Sequence, residues 1–442
     1  MPIVRTRTSR STALGPADWA TIAFVGLFAF VPSRARMPVF GLPTPLFAVG
    51  SALIILAVLP LPLAGGDRRA LRRPAILFTA VLMYATAGVL LRQPPFPLPI
   101  YILPLVLAFL AMFTAYELAT KSVTLGHNPA AAAFRFSSII TASMVYFAVY
   151  RPAYAIDGRL ATPLGGAADV HVALCLTMAA YFGCARVGYR RWPSLFLAGT
   201  TLVIVILTGS RAGFATAIAI TALVALDVRR PARSASLLAL YGTVLVIALR
   251  MMPSDRLGQL NDVNRQGNFD TSMYYLHHAS FLQLIFGTGS GSVWPWFGFE
   301  QGFLSIDSSG LIATPYGEAL ANPHSVILGT LVELGVVGFA LTLWAILSVL
   351  KHILIVWRSK SDPFAFYLLL GIVCTLPSFA VNYYLFKGFP VAAVWWYFSF
   401  LAIRLVTADR QAIAESTGDR VTNYGRRQSP HARDSEMVST AP

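Results

Sequence analysis

Apolar residues come along this chain in long blocks, not in the alternation of a half-buried strand. Twelve blocks approach the length a helix needs to cross a bilayer, at approximately 17–31, 44–64, 74–91, 98–116, 133–150, 169–185, 194–208, 212–227, 235–252, 325–350, 364–380 and 391–407. The pattern predicts an all-α integral membrane protein of about twelve transmembrane helices and argues against an outer-membrane barrel. The first block, Asp18 to Val31, runs into Pro32-Ser33-Arg34-Ala35-Arg36 with no small-x-small cleavage pattern, so it reads as a retained helix. Polar residues then set the divisions. Residues 1–16 and 408–442 are basic and rich in Ser, Thr, Arg and Gln, and read as disordered cytoplasmic tails. Nine helices fill 17–252, a large loop fills 253–323, and three more helices fill 324–407. Within the loop, Ser272 to Phe286 predicts one amphipathic or semi-buried helix near the membrane interface, broken by Gly287-Thr288-Gly289-Ser290-Gly291. A connection this long is the first place to look for function.

Composition and charge sharpen the class. Apolar residues make up 56% and charged residues 12%, too few to solvate a water-soluble surface on a chain of 442 residues. The net charge of +15 would suit a nucleic-acid partner, but its distribution does not. The clusters Arg68-Arg69-Ala70-Leu71-Arg72-Arg73, Arg186/Arg190/Arg191, Arg229-Arg230 and Lys351/Arg358/Lys360 all fall on the side shared with the N-terminus. That bias is the positive-inside signature, and it predicts an N-in, C-in topology with the large loop outside. The charge orients the chain and meets anionic membrane lipids; no nucleic-acid partner is expected. Cys175, Cys184 and Cys374 fall within spans or at their ends without disulfide or metal spacing, and read as small buried apolar side chains.

Two short segments flanking the large loop carry the candidate chemistry. Leu207-Thr208-Gly209-Ser210-Arg211-Ala212-Gly213 is a tight turn between two spans that puts Arg211 at the external boundary. A guanidinium there can fork onto two phosphate oxygens, or simply snorkel to the interface. Asn322-Pro323-His324-Ser325 opens the helix that carries Glu333, Gly335 and Gly338. His324 can accept a proton from a sugar hydroxyl near neutral pH, or merely cap its helix. Gly335 and Gly338 would let a neighbouring helix approach closely. Glu333, a carboxylate within a span, is a functional candidate that would pair with an arginine or orient a polar partner.

His324-Ser325 followed after nine residues by Gly335-x-x-Gly338 resembles the signature of the O-antigen ligase and polysaccharide polymerase superfamily. Thr208-Gly209-Ser210-Arg211 resembles that family's external Ser-Arg turn, and Leu284 to Ser292 its glycine-rich loop segment. The resemblance covers roughly residues 207–339; Ser325 stands where many members carry Asn. It implies an enzyme of the bacterial inner membrane that moves a glycan from undecaprenyl pyrophosphate to an acceptor hydroxyl at the periplasmic face. No metal, nucleotide sugar or cofactor is implied. Arg211 would neutralise the pyrophosphate, with Arg265 and Arg256, and more remotely Arg250, completing a cationic cradle. His324 would take or orient the acceptor proton, and Ser210, Ser325 and one of His277 and His278 would support them. The acceptor is expected to be lipid A–core, as for a ligase, or another lipid-linked repeat, as for a polymerase. The motif spacing leans to the ligase.

Two readings of other classes stand beside it. A lipid-linked glycan transporter or flippase calls for ionisable residues deep in several spans, and apart from Glu333 and the boundary Glu117 these spans hold almost none. A non-catalytic assembly scaffold is compatible with everything in the sequence. The first external loop, 32–43, has no Asp or Glu and the chain has no Asp-x-Asp, which disfavours a metal-dependent membrane glycosyltransferase.

Overall fold

The computed structural model describes residues 14–31, 35–39, 42–61, 68–92, 97–124, 128–150, 159–166, 169–225, 239, 243, 263–294, 313–314, 317–318, 325–359, 362–380 and 382–427. Its helices, in chain order, are α1 Pro16–Phe30, α2 Leu46–Val58, α3 Arg68–Leu91, α4 Pro99–Thr124, α5 Pro129–Tyr150, α6 Val170–Arg186, α7 Arg191–Leu207, α8 Arg211–Ala225, α9 Val263–His278, α10 Phe281–Phe286, α11 Val326–Ser359, α12 Pro363–Thr375 and α13 Phe389–Arg427. A 3-10 segment, Leu376–Ala380, continues α12. Eleven of the twelve predicted spans coincide with one of these helices; the ninth, 235–252, lies almost wholly outside the described residues. Among the described residues six helices contain stretches long and apolar enough to cross a membrane, including Ala70–Leu91, Pro99–Lys121, Val326–Val356 and Phe389–Ala408. The protein is membrane-embedded.

Several boundaries differ from expectation. Two short antiparallel hairpins, β1 Arg36–Val39 with β2 Leu42–Pro45 and β3 Ala313–Thr314 with β4 Gly317–Glu318, occur among the described residues beside the helices. The polar stretch after 407, expected to be disordered, begins as a direct continuation of α13 through Arg427. The single helix expected over 272–286 is two helices. Ser280 splits it by capping α10: its hydroxyl accepts the Gln283 N–H while the Gln283 side chain accepts the Ser280 N–H, at 3.3 and 2.9 Å.

The bundle has an inside that hydropathy alone does not announce. α13 packs along α4, α6 along α7 and α12, and α11 along α3. From Phe389 to Thr407 α13 is wholly buried, and so is α6 from Val170 to Cys184. Aromatic stacking locks α13 in place: Tyr397 lies flat on Phe136 at 4.1 Å, and Trp396 meets Phe78 at 4.9 Å and Phe400 at 5.4 Å. Elsewhere large apolar side chains face outward, including Leu53, Leu56, Ile76, Met83, Phe196 and Leu347. A soluble surface does not hold so many, whereas in lipid they are at home.

Two charged residues inside the bundle serve helix ends. Asp18 accepts from the Gly15 N–H at 3.1 Å, closing the first turn of α1, and pairs with Arg135 of α5 at 2.9 Å. Lys121, fully buried on α4, donates to the terminal carbonyls of Val58 and Leu59, capping the C-terminus of α2, and pairs with Glu117 at 3.5 Å.

Candidate functional site

The turn between α7 and α8 is built by its own side chains. Gly209 adopts a left-handed φ of +60°, which lets the chain reverse over two residues. Thr208 donates its hydroxyl to the Val205 carbonyl at 2.6 Å, and Ser210 accepts the Gly213 N–H at 3.1 Å, so Ser210 is the N-cap of α8. Arg211, the first residue of that helix, is exposed. It opens the helix at the positive end of the α8 dipole, so a cationic side chain and a helix N-terminus meet at one place, a combination that favours an anion. A second cation joins it: Arg159 donates through Nε to the Thr208 carbonyl at 3.1 Å and lies across Gly209.

A fully buried histidine ties this turn to a second motif. His171, on α6, contacts the Ser210 hydroxyl through Nδ1 at 3.1 Å and the Ser378 hydroxyl through Nε2 at 2.9 Å. The bonds close when Ser210 donates to Nδ1 and Nε2–H donates to Ser378. Ser378 belongs to the 3-10 segment, whose next carbonyl, Phe379, accepts the Ser325 hydroxyl at 3.2 Å. Ser325 in turn accepts the Leu328 N–H at 3.3 Å and so caps α11, while the Val326 N–H donates to the Asn382 carbonyl at 3.2 Å. The N-termini of α8 and α11 are thus cross-braced through Ser210, His171, Ser378, Phe379 and Ser325.

Nearly three turns beyond that cap, α11 breaks. Gly335 has φ +67° and ψ −172°, far from helical values, and the carbonyls ahead of it lose their helical partners. The glycine-rich segment after α10 supplies replacements. Thr288 donates both its N–H and its hydroxyl to Val332 at 3.0 Å, Gly289 N–H donates to Glu333 at 2.8 Å, and the Tyr84 hydroxyl of α3 reaches Leu334 at 3.2 Å. The same hydroxyl lies 3.0 Å from the Phe286 carbonyl. Gly287, at φ +76°, packs backbone to backbone on Gly335, where neither residue has room for a Cβ. The Glu333 carboxylate, buried, accepts backbone N–H groups from Gly291 and Trp294 and the Tyr383 hydroxyl at 3.5 Å. Its partners are therefore peptide amides and a phenol, which is the polar-partner alternative and not the arginine, and they hold the loop on the helix. Gly335 likewise receives a loop, not the neighbouring helix expected. Gly338 does admit a helix, with Tyr84 of α3 lying over it.

The remaining candidates separate. His277 and His278 are exposed at the C-terminus of α9; His278 bonds the Tyr274 carbonyl of its own helix at 2.9 Å and stacks on the Tyr274 ring. Their neighbour Tyr275 is half-buried against Val293 and Val332, and burial followed by Tyr274 raises its phenol above the ordinary value. Arg265 is on α9, with its side chain outside the described residues. Arg250, Arg256 and His324 also lie outside them, as do Asn322 and Pro323. The residues that sequence reading missed are His171, Ser378, Tyr84, Tyr383, Arg159 and Arg92, the last lying against Gly289 at the end of α3. Each is a polar residue with no local pattern to mark it, and all but Arg159 lie in or beside an apolar run.

Compared with models of known protein families and with curated proteins, the chain matches none.

Proposed function

We propose that the protein is an O-antigen ligase-type membrane glycosyltransferase, transferring a glycan from undecaprenyl pyrophosphate to a hydroxyl of lipid A–core or a similar acceptor at the periplasmic face of the inner membrane. The observation that carries the reading is the brace between the two motif termini. Arg211 opens one helix and Ser325 caps the other, and His171 with the 3-10 segment joins them. His324 directly precedes the Ser325 cap. In the reaction the acceptor oxygen bonds to the anomeric carbon and its proton passes to His324. The bond from that carbon to the pyrophosphate oxygen breaks, and undecaprenyl pyrophosphate leaves with its charge met by Arg211 and, beside it, Arg159. Metal and cofactor play no part in this scheme.

The test uses purified protein with an undecaprenyl-pyrophosphate-linked glycan and two acceptors side by side, lipid A–core and a second lipid-linked repeat. Product on lipid A–core supports the ligase, and a ladder of lengthened lipid-linked chains supports the polymerase of the same superfamily. Movement of the donor across vesicles with neither product refutes both and leaves the transporter. Arg211→Ala and His324→Ala are each expected to lower transfer at least a hundredfold while the protein remains inserted and abundant.

A further inference from the structure

α10 has no buried residue: Phe281 is 75% exposed, Leu282 63% and Phe286 48%. Such a face is costly in water, and its position in the bundle identifies a better solvent. The end of α10 is pinned to two spanning helices, at Tyr84 of α3 and at Leu334–Gly335 of α11. These helices are antiparallel, because Tyr84 meets Leu334 while Arg73 lies over the Trp344 ring. The C-terminus of α3 and the N-terminus of α11 therefore share one end of the bundle. Tyr84 lies roughly 10 Å below that end on α3, and Leu334 roughly 12 Å below it on α11, at 1.5 Å of rise per residue. The two depths agree. The apolar stretch Ala70–Leu91 spans about 33 Å by the same rise, close to the hydrocarbon thickness, so Leu91 marks approximately the membrane boundary.

From its lowest point the chain climbs again. Gly289 lies against Gly88 and Arg92, higher on α3, and Gly291 lies against Tyr101 near the start of α4. The irregular backbone at this depth meets the requirement that hydrocarbon imposes. Thr288 and Gly289 N–H groups are bonded, Ser292 donates to the Gly289 carbonyl at 2.6 Å, and Gly287, Thr288, Gly289, Ser292 and Val293 are buried in protein. The large outward-facing side chains are apolar, Phe281, Leu282, Leu284 and Phe286, with the exposed polar Ser280 confined to the start of α10, and Ile327 and Val336 of α11 are exposed as well.

We propose that residues 280–294 form a re-entrant segment. α10 enters the bilayer on the side where α11 begins, Phe281, Leu282 and Phe286 contact lipid acyl chains, and the glycine-rich turn returns to the surface clasped to the break at Gly335. The large loop is thereby anchored within the membrane and does not float above it. This holds whatever reaction the protein performs.

Single cysteines at Phe281, Leu282 and, as references, lipid-facing Phe196 and exposed Asp270 of α9 would be spin-labelled in phosphatidylcholine nanodiscs, with Cys175, Cys184 and Cys374 replaced. Collision rates with oxygen and with a water-soluble nickel chelate then report depth. Labels at 281 and 282 are expected to favour oxygen several-fold over the label at 270 and to match 196. Nickel-favoured collisions at 281 and 282 overturn the proposal. So does loss of both collisions with dipolar broadening, which would mean that a second copy of the chain covers α10. Should the cysteine-free background not fold, wild-type protein is irradiated in vesicles of phosphatidylcholine with a photoreactive acyl-chain end. Adducts on the peptide spanning Phe281–Phe286 support the proposal, and their absence beside adducts on α7 overturns it.

Discussion

At the scale of single residues, the site turns on how Arg211 is held. The Ser-Arg turn is legible because turn chemistry is local: Gly209 supplies the left-handed residue and Ser210 the cap, within one short stretch of sequence. His171 is illegible because its partners, Ser210 and Ser378, are 39 and 207 residues away, and nothing around it on α6 distinguishes it from a helix residue buried by packing. Its function follows from the bonds. His171→Ala removes the brace and strands two buried hydroxyls, a cost of about 1–3 kcal/mol for a buried donor or acceptor left unpaired. On the proposed function, transfer is expected to fall about tenfold or more, mainly through a raised KM for the donor, because Arg211 keeps its charge but not its aim. His171→Gln, which can bond both serines, should recover part of that loss. If the Ala variant transfers at the wild-type rate, His171 does not position Arg211. A further substitution asks why the cation is an arginine: Arg211→Lys keeps the charge and loses the fork. Transfer near the Arg211→Ala level is expected, and wild-type transfer would show that a point charge suffices.

Elements were legible in place wherever apolar runs were long, with ends that helices overran where polar residues continued them, and least legible where two segments distant in sequence share one structure. α11 reads as a single uninterrupted helix, and Gly335 as a surface for a neighbour. It is a break because the loop from Gly287 to Gly289 supplies replacement partners for the carbonyls of Val332 and Glu333. No property of the sequence around 335 alone reveals a partner near 287. The clasp predicts severe effects from small changes. A methyl group on Gly335 would stand 2.6 Å from the Ile285 carbonyl carbon, and one on Gly287 2.5 Å from the Gly335 nitrogen, both on positive-φ backbone. Gly335→Ala and Gly287→Ala are each expected to destabilise by about 3 kcal/mol or more, read as a lower melting temperature in detergent. The contrast is Gly199 on α7, where an added Cβ meets nothing within 4 Å. Gly199→Ala should be neutral or stabilise by about 0.5–1 kcal/mol. Equal effects at the three positions would mean that the clasp is not formed.

For the whole molecule, hydropathy told membrane from water but could not tell which apolar helices line the centre. α7 and α13 are both read from sequence simply as spans, yet the membrane stretch of α13 is wholly enclosed by its neighbours while α7 turns Phe196 outward at 74% exposure. The reason is physical: lipid tails and a protein interior are equally apolar, so the pattern that separates inside from outside in a soluble helix is weak here. What does separate them is packing, which depends on partners from elsewhere in the chain. The same substitution at two phenylalanines therefore has two outcomes. Phe136→Ala removes a ring stacked on Tyr397 and enclosed on all sides, leaving a cavity at the α5–α13 contact; the expected cost is about 3–5 kcal/mol. Phe196→Ala exchanges protein–lipid contact for lipid–lipid contact and should cost less than about 1 kcal/mol. Thermal unfolding of both variants in the same nanodiscs decides between them. Similar losses would mean that the buried centre around α13 is not where the stability of the bundle resides, whereas a loss confined to Phe136→Ala places it there.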